Sequence, residues 1–265
     1  MPLNIWSFIR KALLGVPLAV FFGIYYTNLM EVYGNKTLEE LLLLSYASLE
    51  LESMIYIVPV IFWILPQLHL TYLLKDYIPD NLENSAVYVF TRTKKKGRWL
   101  LTKIWHLFFY VVIYYFIQFI SVAVIGMLEG LSFSHGHIGL FLVLTEFALV
   151  CLLNFFYVIF INIGALKIKV IHSYFFTVFI NIILVLFAGF LYEFEIQKIF
   201  LLKYLPPSQS ILAWHSLEGI AGNYPDVFRF TIQNFSIGFS MLYLIGFSII
   251  IILYGNYRLK NMDIF

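Results

Sequence analysis

The sequence is poor in charge and nearly free of cysteine. Of its 265 residues, 12% are Asp, Glu, Lys or Arg, about half the share found in an ordinary soluble domain. A net charge of +2 is too small a field to hold nucleic acid, which is therefore not an expected partner. Cys151 stands alone, which excludes an internal disulfide and a thiolate metal cage. It sits in an apolar run, where a small buried thiol is the ordinary role. The chain has no Gly-x-x-x-x-Gly-Lys-Ser/Thr, hence no P-loop, so ATP-driven action would need another subunit. It has no His-Glu-x-x-His and no Gly-x-Ser-x-Gly elbow. Glu39-Glu40 lacks the downstream arginine and histidines of an intramembrane glutamate protease. No catalytic residue, cofactor-binding residue or metal ligand is expected, and the chain is not expected to be an enzyme. No internal repeat or low-complexity linker is visible.

Apolar surface is what the chain has in excess. Hydrophobic residues make up 62% and aromatics 20%, with 28 Phe and 19 Tyr. One soluble core of this size cannot hide that much, so lipid is the expected solvent for part of it. A spanning helix needs about 20 mostly apolar residues. The runs Leu13–Met30, Met54–Leu74, Ile104–Leu128, Ile138–Asn162, Ser173–Tyr192 and Ile237–Tyr254 meet or approach this. They predict an all-α integral membrane domain over residues 1–265 with six transmembrane helices. Arg10 and Lys11 before the first run fit a signal peptide, but no small-x-small cleavage site follows, so a retained span is expected. Pro17, Pro59 and Pro66 fall inside spans, where neighbouring helices can satisfy the freed carbonyls. Trp6, Trp99, Trp105, Tyr192 and Tyr254 lie near span ends, as amphipathic rings prefer.

Orientation follows from Lys and Arg. With the N-terminus inside, thirteen fall inside and four (Lys36, Lys198, Lys203 and Arg229) outside. Both termini are expected in the cytoplasm.

Three connections are too long for turns. In the first, exterior, one, Thr37 and Glu40 have capping-box spacing. The apolar Leu41–Leu44, Tyr46, Leu49 and Leu51 then predict a helix lying on the outer membrane surface. The second, 75–103, is interior. A short helix after Pro79, capped by Asp80 or Asn81, would carry the apolar Ala86–Phe90. The basic run Arg92–Arg98 follows. It fits an anchor on anionic headgroups and equally a docking site for a cytoplasmic partner, and both can hold. The third, 193–236, is exterior. Pro206-Pro207 breaks it, Ser208 is placed to cap a helix over Gln209–Ile220, and a structured hairpin is expected.

Few polar residues enter the spans. Glu146 is the one charge well inside, with Thr145 and Asn154 on its helix and Gln118 and Asn181 on neighbours. An intramembrane acid usually faces a bundle interior or a cavity. Glu146 is thus a candidate for the translocation path or a subunit interface, or is a protonated structural residue. His135-Gly136-His137 has no third ligand nearby, so a chance pair is the commoner explanation. His69 and His106 flank inner span ends and fit interfacial hydrogen bonding.

Several pieces of sequence then combine. They are the interfacial basic start Trp6-Ser7-Phe8-Ile9-Arg10-Lys11, the six spans, the exterior hairpin between the fifth and sixth, and the tail Asn256–Phe265. The most telling is the stretch from Val89 to Trp99, followed by Lys103. This layout resembles the ABC-2-type transporter permeases of low-GC Gram-positive bacteria. Size and the long first exterior loop resemble the small permeases that export peptides or confer immunity to them, such as lantibiotic-immunity and phenol-soluble-modulin exporters. The resemblance implies a type V exporter-like permease in the bacterial plasma membrane, paired with a second permease, identical or related. It implies separate ABC ATPase subunits that hold ATP and Mg, and alternating access for a hydrophobic or amphipathic molecule such as a peptide. Coupling to the ATPase would run through 75–103, with Tyr88, Phe90, Arg92, Arg98 and Trp99 as candidate contacts. The competing expectation is a membrane scaffold or sensor that binds a cytoplasmic partner through the basic loop and moves nothing.

Overall fold

Where a run of side chains is apolar on all sides, the backbone must satisfy its own polar groups, and a helix does this within one segment. The computed structural model, which describes residues 5–33, 37–51, 56–83, 96–134, 136–217 and 219–262, is built this way throughout. Its helices are α1 (Ile5–Ala12), α2 (Val16–Tyr33), α3 (Leu38–Tyr46), α4 (Ile57–Leu74), α5 (Lys96–Leu128), α6 (Gly136–Gly164), α7 (Val170–Phe194) and α8 (Ile237–Lys260). No strand occurs among the described residues. A single β-bridge joins Thr37 to Ser132. Six helices are long and apolar enough to cross a membrane, the layout of a multi-pass membrane protein.

The helices outrun the apolar stretches that announced them. α5 begins at Lys96, eight residues before Ile104, so Arg98, Trp99 and Lys103 belong to the helix. α8 runs on to Lys260, placing Arg258 and Lys260 in its last turn, where positive charge complements the helix dipole. α4 is interrupted at 75–76 and resumes over 77–83. That resumption starts before Pro79, so Asp80 and Asn81 lie within it and do not cap it. Asn81 instead donates to the Tyr77 carbonyl at 2.6 Å.

α6 is the centre of the bundle, packing against α8, α5, α7 and α4. Buried residues lie all around its circumference, as expected of an interior helix. α1 is joined to α2 by a 3-10 turn over Leu13–Gly15. It buries Phe8 and Ala12, four residues apart, and turns Trp6, Arg10 and Lys11 outward. Phe8 packs on Tyr110 of α5 with ring centroids 4.1 Å apart and the rings tilted by 33°.

α3 corrects one expectation and meets another. The capping box is present: the Thr37 hydroxyl accepts from the Glu40 amide at 3.3 Å and donates to its carboxylate at 2.9 Å. The helix does not lie on a surface, because every residue from Leu38 to Tyr46 is buried. Its leucines leave no polar face to turn to water, so it inserts among α2, α5 and α6. Gly126 of α5 permits the approach: a Cβ there would sit 2.6 Å from Leu41 and 2.7 Å from Leu38.

The 195–236 segment also departs from expectation. No α-helix spans 209–220; 3-10 turns cover Pro207–Ser210 and Leu212–Trp214. An α-helix would need the Ala213 amide to bond the Gln209 carbonyl. It bonds Ala47 instead, at 3.3 Å. Ile232 donates to Trp214 at 2.8 Å and Ser216 to Phe235 at 2.9 Å. Tertiary partners thus take the groups that a helix would use.

The bundle has two unlike ends. The cap end carries α3 and the 195–236 segment. The basic end carries α1, the start of α5 and the end of α8.

Candidate functional site

The cap is fastened through side chains that look like surface residues in the sequence. Glu39 accepts from the Ser134 amide at 3.1 Å, the Ser134 hydroxyl at 3.2 Å and the Tyr224 hydroxyl at 3.4 Å. It thereby joins α3, the α5–α6 turn and the hairpin. Gly139 makes room: a Cβ there would lie 3.0 Å from the Tyr224 hydroxyl and 3.1 Å from the Glu39 carboxyl carbon. Burial holds the Glu40 carboxyl above the usual range, partly offset by its bonds to Thr37. Burial and the neighbouring Glu39 raise the Tyr224 phenol. Trp214, 2% exposed, donates its indole N–H to the Leu49 carbonyl at 3.0 Å. At the rim, Arg229 pairs with Glu50 at 2.7 Å and with Asp226 at 3.6 Å.

His215 fastens the cap to α8. Its Nδ1 lies 3.0 Å from the Ile211 carbonyl and its Nε2 2.7 Å from the Ser240 hydroxyl. A carbonyl only accepts, so Nδ1 carries the proton and Nε2 accepts from Ser240. Burial pushes the imidazole down to about 4. The pair has the polarity of a nucleophile and its base, but both residues are 0% exposed. In this arrangement they join the 195–236 segment to α8 out of reach of solvent.

Glu146 lies beneath this cap. It is 0% exposed, so its carboxyl does not reach water past the cap end of α6. Neither carboxyl oxygen has a partner at bonding geometry, and the Leu212 backbone is the polar group facing it. Tyr115 is within electrostatic reach of Glu146, Tyr46 and Cys151, and both tyrosine hydroxyls are buried without partners. Gln118, about three turns before the end of α5 at Leu128, has neither amide atom bonded. An isolated carboxylate would be costly in such surroundings, which fits a neutral acid.

Deeper in, polar groups are joined. Tyr157 of α6 donates to Asn181 of α7 at 2.7 Å, and Asn181 donates to Gln67 of α4 at 3.3 Å. Thr71 donates to the Gln67 carbonyl at 2.6 Å. His69 meets the Tyr114 hydroxyl at 2.8 Å, and His106 meets Tyr77 at 3.0 Å. Asn162 accepts from the Ile78 amide at 2.8 Å and donates to the Leu74 and Val158 carbonyls at 2.8 and 2.9 Å. It spans the break in α4.

At the basic end, the helices are in close contact. A Cβ at Gly97 would lie 2.6 Å from Asn256 of α8. Lys96 donates to the Met262 carbonyl at 3.2 Å. Arg98 is exposed and Trp99 half-buried, with the Lys103 ammonium 5.9 Å from the Trp99 ring. Tyr88, Phe90 and Arg92 lie outside the described residues, as do Lys94, Lys95 and His135. No cluster of three metal-ligating side chains occurs among the described residues.

One feature was not anticipated from sequence. A cavity of about 260 Å³ opens at the cap end between α2 and α4, lined by Tyr25, Tyr26, Glu50, Phe62 and Trp63 among others. A second, of about 120 Å³, lies on the other side of Ser48–Glu50 against Trp214 and Arg229. The adjacent aromatics Tyr25-Tyr26 were a visible signal, but nothing in the sequence set Phe62 or Glu50 beside them.

Neither a curated protein nor a solved structure matches the chain. A family model described as a protein of unknown function, DUF2705, matches residues 17–265, and the chain belongs to that family.

Proposed function

We propose that the chain is the transmembrane permease subunit of an ATP-binding cassette exporter of the ABC-2 type. It would work with a second permease and with separate ATPase subunits that bind ATP and Mg. It would sit in a bacterial plasma membrane with both termini in the cytoplasm, since the Lys and Arg excess gathers at the basic end. Its cargo would be a hydrophobic or amphipathic molecule such as a peptide.

The basic end carries this proposal. The start of α5 is keyed to α8 through Gly97 and Asn256, and α1 rests on α5 through Phe8 and Tyr110. Asn162 ties the other edge of the 75–103 stretch to α6. A push from a cytoplasmic ATPase on that stretch would therefore reach several spans together. Arg98, exposed at the start of α5, offers a docking charge beside the Trp99 ring.

Co-expression with a candidate ATPase subunit tests the idea. The two should co-purify, and peptide export into the medium should require ATP hydrolysis. An ATPase that binds while nothing moves would establish the scaffold alternative. Failure of any ATPase to bind the folded chain, or substantial hydrolysis by the chain alone, would overturn the proposal.

A further inference from the structure

We propose that Glu146 is an internal proton-exchange site, served from the basic-end half of the bundle along the polar side chains of His69, Tyr114, Gln118 and Tyr115. The site stands apart from the transport proposal, because a proton would reach Glu146 with no ATPase present and whether or not a cargo moves.

Orphaned polar atoms carry the argument. Gln118 leaves both amide atoms without a partner, Glu146 both carboxyl oxygens, and Tyr115 and Tyr46 their hydroxyls. None of the four residues is more than 4% exposed. Buried polar groups are nearly always bonded, to protein or to ordered water, and a bridging water needs several polar partners. Both kinds are present here: the amide N–H and phenol O–H groups donate, and the carboxyl and amide oxygens accept. Burial this complete admits nothing larger than water.

Position makes these atoms one file. Gln118 lies ten residues before the end of α5 at Leu128, and Glu146 ten residues after the start of α6 at Gly136. The two helices pack together across one short turn, so the two side chains stand at the same depth. Tyr115 lies one turn nearer the basic end on the buried side of α5, within electrostatic reach of Glu146, Tyr46 and Tyr114. Tyr114 meets His69 at 2.8 Å. A Cβ at Gly15 would stand 2.5 Å from the Gln118 amide nitrogen, 3.1 Å from the Tyr114 hydroxyl and 3.2 Å from His69 Nδ1. Three polar groups therefore meet at one glycine, in the turn that joins α1 to α2. His69, five residues before the end of α4 at Leu74, is the half-buried member, so the file opens there.

The surroundings of Glu146 favour a bound proton. The groups facing it are the Tyr115 phenol from α5, the Cys151 thiol from its own helix and the Leu212 backbone from the cap, with the Tyr46 phenol of α3 behind Tyr115. Among the described residues, α4, α7 and α8, which also pack on α6, bring no charged group to it. A carboxylate would stand there without a counter-charge. Exchange leaves the charge unchanged: the carboxyl O–H gives its proton to an internal water, and a proton arriving along the file replaces it.

Infrared spectroscopy of the purified chain in lipid nanodiscs tests this without any ATPase. At neutral pH, wild type minus Glu146→Gln should show the C=O stretch of a protonated carboxyl. On transfer to D2O that band should shift within minutes, as O–H becomes O–D. Gln118→Leu removes both orphaned amide atoms; it should keep the band and slow its shift about tenfold. Tyr115→Phe removes a single oxygen and should also slow it, so the proposal stays open to refutation even if the Leu variant fails to fold. Ser240→Ala, which loosens the cap on the other side of Glu146, should leave the rate unchanged. Carboxylate bands in place of the protonated band overturn the proposal. So does a protonated band that stays unshifted for days, the mark of a sealed structural acid. A shift slowed by neither Gln118→Leu nor Tyr115→Phe, or one speeded by Ser240→Ala, overturns the route and the proposal with it. Such a failure would leave the ATPase co-purification result untouched.

Discussion

The cap end and the basic end are built from similar material and held in opposite ways. At the cap, acids that would ordinarily be solvated are buried or bonded. Glu39 has three donors, and α3 has no exposed residue. At the basic end, Trp6 is 74% exposed and Arg98 faces outward. Stability is therefore concentrated in the cap, and surface for partners at the basic end. The cap uses most of its polar groups on its own chain, the Tyr46 and Ser208 hydroxyls excepted, whereas the basic end leaves aromatic and cationic groups outside.

The largest expected effect would break that contrast if it failed. Trp214→Ala removes the largest side chain among the fully buried residues and its bond to Leu49. It should cost about 3–5 kcal/mol, read as thermal unfolding in detergent. Trp6→Ala should cost about 0.5 kcal/mol or less. Equal losses would mean that the two ends are not differently held.

Acid sharpens it next. His215 has a folded value of about 4 against an ordinary 6.5, so the unfolded chain binds its proton more readily. Its contribution is fully present above pH 6.5 and is lost as pH falls toward 4. The loss is about 3 kcal/mol over that window. Glu40 acts with the opposite sign. Its folded value is raised, so stability falls as pH rises above the ordinary carboxyl range. Comparing wild type with His215→Gln from pH 7 to 4 isolates the histidine; parallel curves would refute its role as a neutral fastener.

Asn162→Ala probes the side chain with three hydrogen bonds across the break in α4. It removes three hydrogen bonds and leaves the buried Ile78 amide unsatisfied, for about 2 kcal/mol. A change near zero would mean that the break in α4 is slack. Smallest in stability is Arg98→Gln, about 0.5 kcal/mol or less. Its effect should appear instead as reduced capture of a co-expressed ATPase. Full capture with Arg98→Gln would take docking away from the start of α5.

The spans could be read from the sequence because lipid imposes one simple demand, a long apolar run. Their ends could not, since Lys96 to Lys103 continue α5 although no apolar run marks them. The burial of α3 is not legible because Glu39 looks like an anchor to water; its partners Ser134 and Tyr224 are distant in sequence. The local pattern of 209–220 favours a helix, while Ala47, Ile232 and Phe235 claim its backbone. Glu146 was legible as the lone acid in a span, but Tyr115, within electrostatic reach of it, comes from α5 and the Leu212 backbone from the 195–236 segment. The aromatic cavity needs α2, α4 and the 48–50 segment together, so no single stretch announces it.

Asn162 has a mechanical consequence. An interrupted helix is normally a loose joint, because the groups freed at the gap have nothing fixed to hold. Here one amide grips the carbonyl before the gap and the N–H after it, and it is rooted in the most buried of the six long helices. The joint is thereby pinned: the 77–83 arm is held to α6 through Asn162 and to α5 through the Tyr77–His106 and Asn81–Lys103 contacts, so the gap in α4 carries no slack.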